Sequence, residues 1–213
     1  ISSDPLEGSS NSIIPFSKAS RKAWKHSLVL LLNDSEVAAF ITDVTNNGGS
    51  AYTARGYSAT AQVAITGTIT AAQLIQLDAL TLGSITAEIS STAISDLDDL
   101  TANHSNDLTI TVATGAVTAA QLNTVNAATT NTVTATAVTS ITGTASAIAL
   151  VIAAKGSTGN KINLDNDFTT TVDSGTLTVT QANDFAAAGG VVTGTISNGN
   201  IADLDDLTTD STD

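Results

Sequence analysis

The stretch GTITAAQLIQLDALTLGSITAEISSTAISDLDDL, residues 67–100, decides the predicted fold because related sequence occurs twice more in the chain. Residues 115–148 open with GAVTAAQ, and residues 175–207 open with GTLTVTQ. The spacings between the three openings are 48 and 60 residues. Repeats at such periods are typical of arrays in which each unit buries its apolar face against its neighbours. The sequence therefore predicts a repeat protein.

Each repeat alternates β-rich runs with stretches in which apolar residues lie three and four apart. The predicted strands are 63–66, 84–89, 108–113, 132–138, 168–172 and 191–196. The predicted helices are 71–81, 94–102, 118–128, 145–154, 180–188 and 201–208, and openings such as TAAQ are helix starts. This order predicts a repeat solenoid, an α/β solenoid of stacked coils that each contain one β-strand plus a short helix. A pure parallel β-solenoid is the alternative, because threonine and valine have low helix propensity.

The sequence divides into three predicted parts. Residues 1–26 form an extended basic arm with a short helix, and residues 27–62 form atypical capping coils. The caps are identified by the alignment of residues 27–49 with residues 108–130, strand for strand. Residues 63–213 carry the solenoid repeats, which we expect to continue beyond residue 213.

The predicted arm carries a cationic stripe beside the chain's single tryptophan. Lys18, Arg21, Lys22 and Lys25 have the spacing of one helix face, and Trp24 lies among them. One interpretation is a solvated helix face with a tryptophan that packs on its own core. The other is a docking surface for an acidic partner, such as the acidic body of a neighbouring copy.

Composition excludes several classes of partner. The formal net charge is −13, with 20 acidic and 7 basic side chains among 213 residues. A chain this acidic repels nucleic acid and anionic membranes, and no stretch reaches the roughly 20 apolar residues of a membrane span. The chain has no cysteine, which excludes disulfides and thiolate metal sites.

Aspartates recur in the motif DLDDL. The two clusters are Asp96, Asp98 and Asp99, and Asp203, Asp205 and Asp206. Oxygen-rich turns can bind Ca²⁺, which makes these aspartates a candidate calcium site. The alternating leucines equally fit a helix with a buried leucine stripe and a solvated acidic face. No other cofactor is predicted.

Threonines recur at alternate positions of the predicted strands, for example Thr109 and Thr111, or Thr193 and Thr195. Alternation places each pair on one face of a strand, so stacked strands would align hydroxyls in rows. The rows fit either the β-propensity of a solvated sheet or a hydroxyl array that contacts ice or glycan. Ser84, Thr86 and Glu88 interrupt the regularity.

Catalytic motifs are missing from this sequence. His26 and His104 are the two histidines, and neither neighbours a nucleophile in a recognisable motif. Neither a phosphate-binding glycine loop nor H-E-x-x-H occurs. An enzyme is therefore not expected.

Residues 117–148, VTAAQLNTVNAATTNTVTATAVTSITGTASAI, carry a family resemblance. Their sequence, which is rich in threonine and alanine, resembles repeats in giant cell-surface proteins of marine picocyanobacteria and in virion appendage proteins of the phages that infect them. The resemblance covers about residues 63–213 and implies an extracellular, non-enzymatic structural protein that forms a fibre, stalk or adhesive layer on a cell or virion. It implies self-assembly or docking into a larger filament, coat or virion. The alternative is a binding module for Ca²⁺, glycan or ice that uses the aspartate turns or threonine rows.

Overall fold

The computed structural model describes residues 29–46, 60–101, 104–197 and 201–208, with the side chain of Asp203 outside that description. The predicted arm at 1–26 and part of the predicted caps at 27–62 lie outside the described residues. The strands are β1 (Val29–Asn33), β2 (Gln62–Ile69), β3 (Ile85–Ile89), β4 (Asp107–Thr109), β5 (Gly115–Thr118), β6 (Val133–Thr134), β7 (Val138–Thr144), β8 (Ile162–Asn163), β9 (Thr169–Ser174) and β10 (Val192–Thr193). The helices are α1 (Asp34–Asn46), α2 (Ala71–Asp78), α3 (Ile94–Leu97), α4 (Ala119–Ala127), α5 (Ala145–Ala154), α6 (Val179–Ala188) and α7 (Ile201–Leu204).

The strands belong to three separate parallel sheets. The first sheet has the order β1-β2-β3-β4, and the second has the order β10-β9-β7-β5. Strands β6 and β8 pair with each other in a small third sheet. A single apolar cluster extends from Leu30 in β1 to Phe185 in α6, so the helices pack on the sheets through a shared core.

Both solenoid predictions are wrong. The α/β solenoid fails because the strands divide among three sheets and do not form one stack of coils. The predicted coil of one strand plus one helix fails as well, since β4 and β5, β6 and β7, and β8 and β9 follow each other without an intervening helix. The pure parallel β-solenoid is excluded by helices such as α1, which has 13 residues. The fold is α/β.

Two glycines coincide with irregularities in strand pairing. Gly115 and Gly143 have φ of 142° and 152°, a backbone conformation that residues with a Cβ rarely adopt. The pairing register shifts immediately after each of them. Pairing continues beyond each glycine with a shifted register, so these glycines mark bulges within the second sheet. Sequence periodicity indicated no strand at 115–118, where β5 lies.

Helix starts are the feature that the repeats predict best. Thr70, Thr118 and Thr178 each cap a helix, and each cap threonine pairs reciprocally with a glutamine three residues later. In such a capping box the threonine hydroxyl accepts from the backbone N–H of the glutamine, whose side chain accepts from the threonine N–H. This confirms the prediction that TAAQ and its variants begin helices.

Candidate functional site

The first aspartate cluster lies on α3 and at its end. Asp96 and Asp99 are exposed, and Asp98 is half-buried. An oxygen of Asp98 accepts a hydrogen bond of 2.7 Å from the side-chain N–H of Gln121 on α4. Asp98 therefore joins two successive helices, a structural role that the calcium hypothesis did not include.

The second aspartate cluster follows the same motif near the end of the described chain. Asp205 and Asp206 are exposed, and the side chain of Asp203 lies outside the description. Among the side chains that the structure describes, no three of His, Cys, Asp or Glu gather in a group suited to a metal ion. Calcium binding by either cluster stays a prediction.

The predicted docking stripe cannot be placed. Lys18, Arg21, Lys22, Lys25 and Trp24 lie outside the described residues. Their contribution to a partner surface stays a prediction.

Threonines on the second sheet align across four strands. Thr118 on β5 pairs with Thr142 on β7, Thr142 pairs with Thr171 on β9, and Thr171 pairs with Thr193 on β10. Neighbouring strands lie about 4.8 Å apart, which sets the repeat of this row. Periodicity named Thr171 and Thr193, but it missed Thr118, which begins the predicted helix 118–128, and Thr142, which precedes the predicted helix 145–154. In the first sheet the corresponding row is interrupted, because Glu88 lies between Thr68 and Thr109.

A buried carboxylate organises the loop between α3 and β4. Asp78 ends α2, and its side chain is only 3% exposed. Its Oδ1 atom lies 3.1 Å from His104 Nδ1 and accepts a hydrogen bond of 3.1 Å from Asn106 Nδ2. Its Oδ2 atom accepts from the Thr101 hydroxyl at 3.3 Å. These contacts satisfy a charge that would be costly to bury alone, so Asp78 acts as an anchor for this loop.

Sequence reasoning missed this anchor. Asp78 is a single acidic residue on a predicted helix, and His104 lies in a loop 26 residues later along the chain. Neither spacing nor motif connects them. A usable signal is the 48-residue repeat, because Asp78 occupies the place of Asn126, so that a carboxylate in one copy replaces an amide in the other.

Lys155 fastens the end of α5 to neighbouring loops. Its Nζ donates to the side-chain oxygen of Asn166 at 2.6 Å and to the backbone oxygen of Ala188, and lies 5.3 Å from the centre of the Phe168 ring. Burial lowers the pKa of Lys155, and the nearby Asp165 carboxylate partly opposes that effect. This cation is committed to internal contacts and is not presented to a ligand.

An open groove lies between α5 and α6. Small and apolar side chains such as Ala149, Ile152 and Phe185 line it, and its ionisable group is Asp184. Within the described lining, this carboxylate has no neighbouring acid, base or nucleophile of the kind that acyl or phosphoryl transfer requires. The groove is therefore a shape feature and carries no chemical constellation.

The most informative surface is the second copy of DLDDL. In the first copy, Leu97 and Leu100 are 0% and 4% exposed, and α4 packs against α3, the helix that carries Leu97. In the second copy, Leu204 is half-buried at the place of Leu97, and Leu207 is 38% exposed at the place of Leu100. Ile201 is 82% exposed, whereas Ile94 at the corresponding place of the first copy is half-buried. Residues with the same pattern are thus buried in one place and open in another. We call Val191, β10, Ile201 and Leu207 the terminal edge.

Comparison with known proteins finds no matching family model, and no curated protein or solved structure matches the chain. The helices in the described ranges are all too short or too polar to cross a bilayer. Fold, contacts and sequence pattern are therefore the basis for the functional proposal.

Proposed function

We propose that this chain is a non-enzymatic structural protein of an extracellular surface, where it forms a fibre, stalk or adhesive layer on a cell or phage virion. The observation that carries the proposal is the terminal edge, at which the DLDDL pattern leaves apolar side chains uncovered. Strand β10 pairs with β9 on one side, and within the described residues no strand pairs with its other side. Exposed apolar surface next to such a strand edge is typical of an assembly contact. The protein docks through it into a larger filament, coat or virion.

The use of polar side chains supports the same proposal. Thr81 and Thr129, which are 48 residues apart in the repeat, are both buried, and their hydroxyls accept from the backbone N–H of Gly83 and Asn131. The Thr129 hydroxyl also accepts from the backbone N–H of Leu108 and donates to the backbone C=O of Leu108. The repeated polar groups thus hold turns and strand ends, as expected of a scaffold.

The extracellular location is proposed from the resemblance of residues 117–148 to surface and virion repeats. An antibody against the chain, applied to intact cells and to purified virions of the source culture, tests it by immunogold electron microscopy. We expect gold on the outer surface or an appendage, and pre-absorption of the antibody with purified chain should remove it. Label confined to the cell interior would overturn the proposal.

A glycan- or ice-binding module is the second candidate, favoured by the aligned row of Thr118, Thr142, Thr171 and Thr193. Thr193→Arg would place a bulky cation at the exposed end of that row. Thr68→Arg is the matched control, because Thr68 is also exposed but lies beside Glu88 in an interrupted row. Glycan-array binding or ice-growth inhibition that both variants retain equally would exclude the row as the binding surface.

A further inference from the structure

We infer that Lys155 and Asn166 join covalently, through an isopeptide bond between the lysine amine and the side-chain carbonyl carbon of the asparagine. The bond ties the end of α5 to the segment that leads into β9. This inference goes beyond the proposed function and does not depend on it, because every residue involved lies inside the described ranges and the bond forms within one chain.

The two reacting groups are already in contact. Nζ of Lys155 lies 2.6 Å from Oδ1 of Asn166. A carbonyl bond is about 1.23 Å long, so the amine nitrogen lies within roughly 4 Å of the carbonyl carbon that it attacks. Productive intramolecular reactions start from separations of about 3 to 3.5 Å, and a small rotation of the Asn166 amide is enough to reach them.

The fold holds both backbone positions. Lys155 follows α5 directly and forms a parallel bridge with Ile162. Asn166 lies between two buried anchors, Leu164 and Phe168, which are 5% and 0% exposed. Two groups held in this way react as a unimolecular pair and avoid the entropy cost of an encounter in solution. The structure therefore supplies the positioning that aminolysis of an ordinary amide lacks.

The surroundings of the amine favour its reactive form. A protonated lysine has no lone pair, so only the neutral amine can attack. Burial lowers the pKa of Lys155, and the Asp165 carboxylate opposes part of that effect, so the neutral fraction exceeds that of an exposed lysine. The apolar ring of Phe168 lies 5.3 Å from Nζ. The backbone oxygen of Ala188 accepts a hydrogen bond from the same Nζ and helps to hold the amine in place.

The reaction exchanges one amide for another. The Nζ lone pair of Lys155 attacks Cγ of Asn166, a bond forms between these atoms, and the bond from Cγ to Nδ2 breaks. The attacking nitrogen loses one proton, the leaving nitrogen gains it, and ammonia departs. Asp165 transfers this proton, because it precedes Asn166 in the chain and lies near enough to Lys155 to affect its pKa. The exchange needs no oxidant or cofactor, and Asn166 is exposed, so ammonia can leave into solvent.

Tryptic digestion of the urea-unfolded chain tests the bond directly. Between Arg55 and the end of the sequence the tryptic sites are Lys155 and Lys161. An unlinked chain therefore releases 56–155, 156–161 and 162–213. The isopeptide bond blocks cleavage at Lys155 and joins the segments on both sides of Lys161, so we expect residues 56–213 to remain one species on a denaturing gel. Intact-mass spectrometry should show the loss of one ammonia.

Matched lysine variants separate the reacting amine from the other lysine of this segment. Lys155→Arg keeps a cation and a tryptic site but removes the amine, so we expect complete loss of the linked species. Lys161→Arg is the control, because Lys161 Nζ donates to the Ala153 C=O at 3.1 Å. We expect its linked fraction to equal that of the unchanged chain.

Matched aspartate variants test the proton transfer. Asp165→Ala should slow the appearance of the linked species at least about tenfold, because it removes the proton carrier. Asp167→Ala is the control, since Asp167 is likewise an exposed carboxylate next to Asn166. The linked fraction is followed over time after purification, and unchanged circular dichroism of each variant would show that the fold is retained. Equal rates in the two variants would contradict the role of Asp165.

Three results would overturn the inference. These are release of all three fragments from the incubated chain, a linked species that persists in Lys155→Arg or in Asn166→Ala, or ammonia loss with normal cleavage at Lys155. The last result would indicate a succinimide at Asn166, which loses the same mass without joining two segments. Immunogold labelling of the surface reports on a separate property, so the proposed function and this inference can fail independently.

Discussion

Two copies of one sequence unit, residues 67–100 and 115–148, form the same capped helix but have different side chains at its end. Each begins with a glycine at positive φ, a threonine–glutamine capping box and a helix. At the end of that helix the first copy has Asp78 and the second has Asn126. Asp78 is surrounded by donors, whereas Asn126 Nδ2 donates to Asn160 Oδ1 at 2.9 Å.

The difference between Asp78 and Asn126 indicates that the loop packed against the end of the helix determines which side chain fits there. The side-chain N–H of Asn160 donates to the Thr129 C=O at 2.8 Å, which leaves the side-chain oxygen of Asn160 facing residue 126. A carboxylate at 126 would meet that oxygen without a proton to share, so an amide is required. Asn126 Oδ1 is buried and has no hydrogen-bond partner among the described residues. The second copy is therefore the less well satisfied of the two.

The largest expected effect separates these two positions. Asp78→Ala removes the acceptor for Asn106 and Thr101 and the neighbour of His104, so we expect a loss of about 3 kcal/mol of unfolding free energy. Asn126→Ala removes one neutral hydrogen bond and should cost about 1 kcal/mol. Urea unfolding followed by circular dichroism measures both. Equal losses would show that the Asp78 contacts contribute no more than the Asn126 bond.

The opening glycines give the next comparison. Gly67 has φ of 101° and Gly115 has φ of 142°, so alanine is strained at both positions. A Cβ at Gly67 would also lie 3.2 Å from the Asp34 side chain, whereas none of the described atoms lies within 4 Å of a Cβ at Gly115. We expect Gly67→Ala to cost about 2 kcal/mol and Gly115→Ala about 1 kcal/mol. The same urea series decides, and a larger loss for Gly115→Ala would contradict the crowding argument.

The smallest expected difference lies within the capping boxes. Gln121 has the extra bond to Asp98, so Gln121→Ala should cost about 1 kcal/mol more than Gln73→Ala. Thr70→Ala and Thr118→Ala are controls that should each cost about 1 kcal/mol, because the caps themselves are alike. Thermal and urea unfolding of the four variants provide the measurement. Equal costs for the two glutamine variants would show that the Asp98 bond adds no stability.

Predictions from the sequence were best where structure is local. The predicted helix 145–154 matches α5, and 71–81, 118–128 and 180–188 overlap α2, α4 and α6. The predicted strands 84–89 and 191–196 contain β3 and β10, but the longer β7 was missed except for its first residue. Most of its sequence, VTSITGT, lies between the predicted strand 132–138 and the predicted helix 145–154, and periodicity assigned residues 139–144 to neither.

For the candidate sites as well, local features were predicted and features that depend on distant residues were not. DLDDL was recognised as a pattern whose leucines suit burial, and Leu97 and Leu100 are buried. Nothing within the motif indicates that the corresponding Leu207 is open, because burial depends on elements that come from elsewhere in the chain. The Asp78 anchor was missed for a related reason, since its partners lie 23 to 28 residues away.

The sequence by itself determined the repeats, the acidic charge and the helix starts, because a capping box is complete within four residues. Tertiary structure decided how the strands divide into three parallel sheets, and this overturned the solenoid expected from periodicity. It also decided which copy of DLDDL is covered and which polar group, Asp78 or Asn126, is fully paired. Strand pairing, burial and the hydrogen bonding of polar groups depend on residues distant in sequence. A repeated motif specifies its own side chains but not the residues that pack against them.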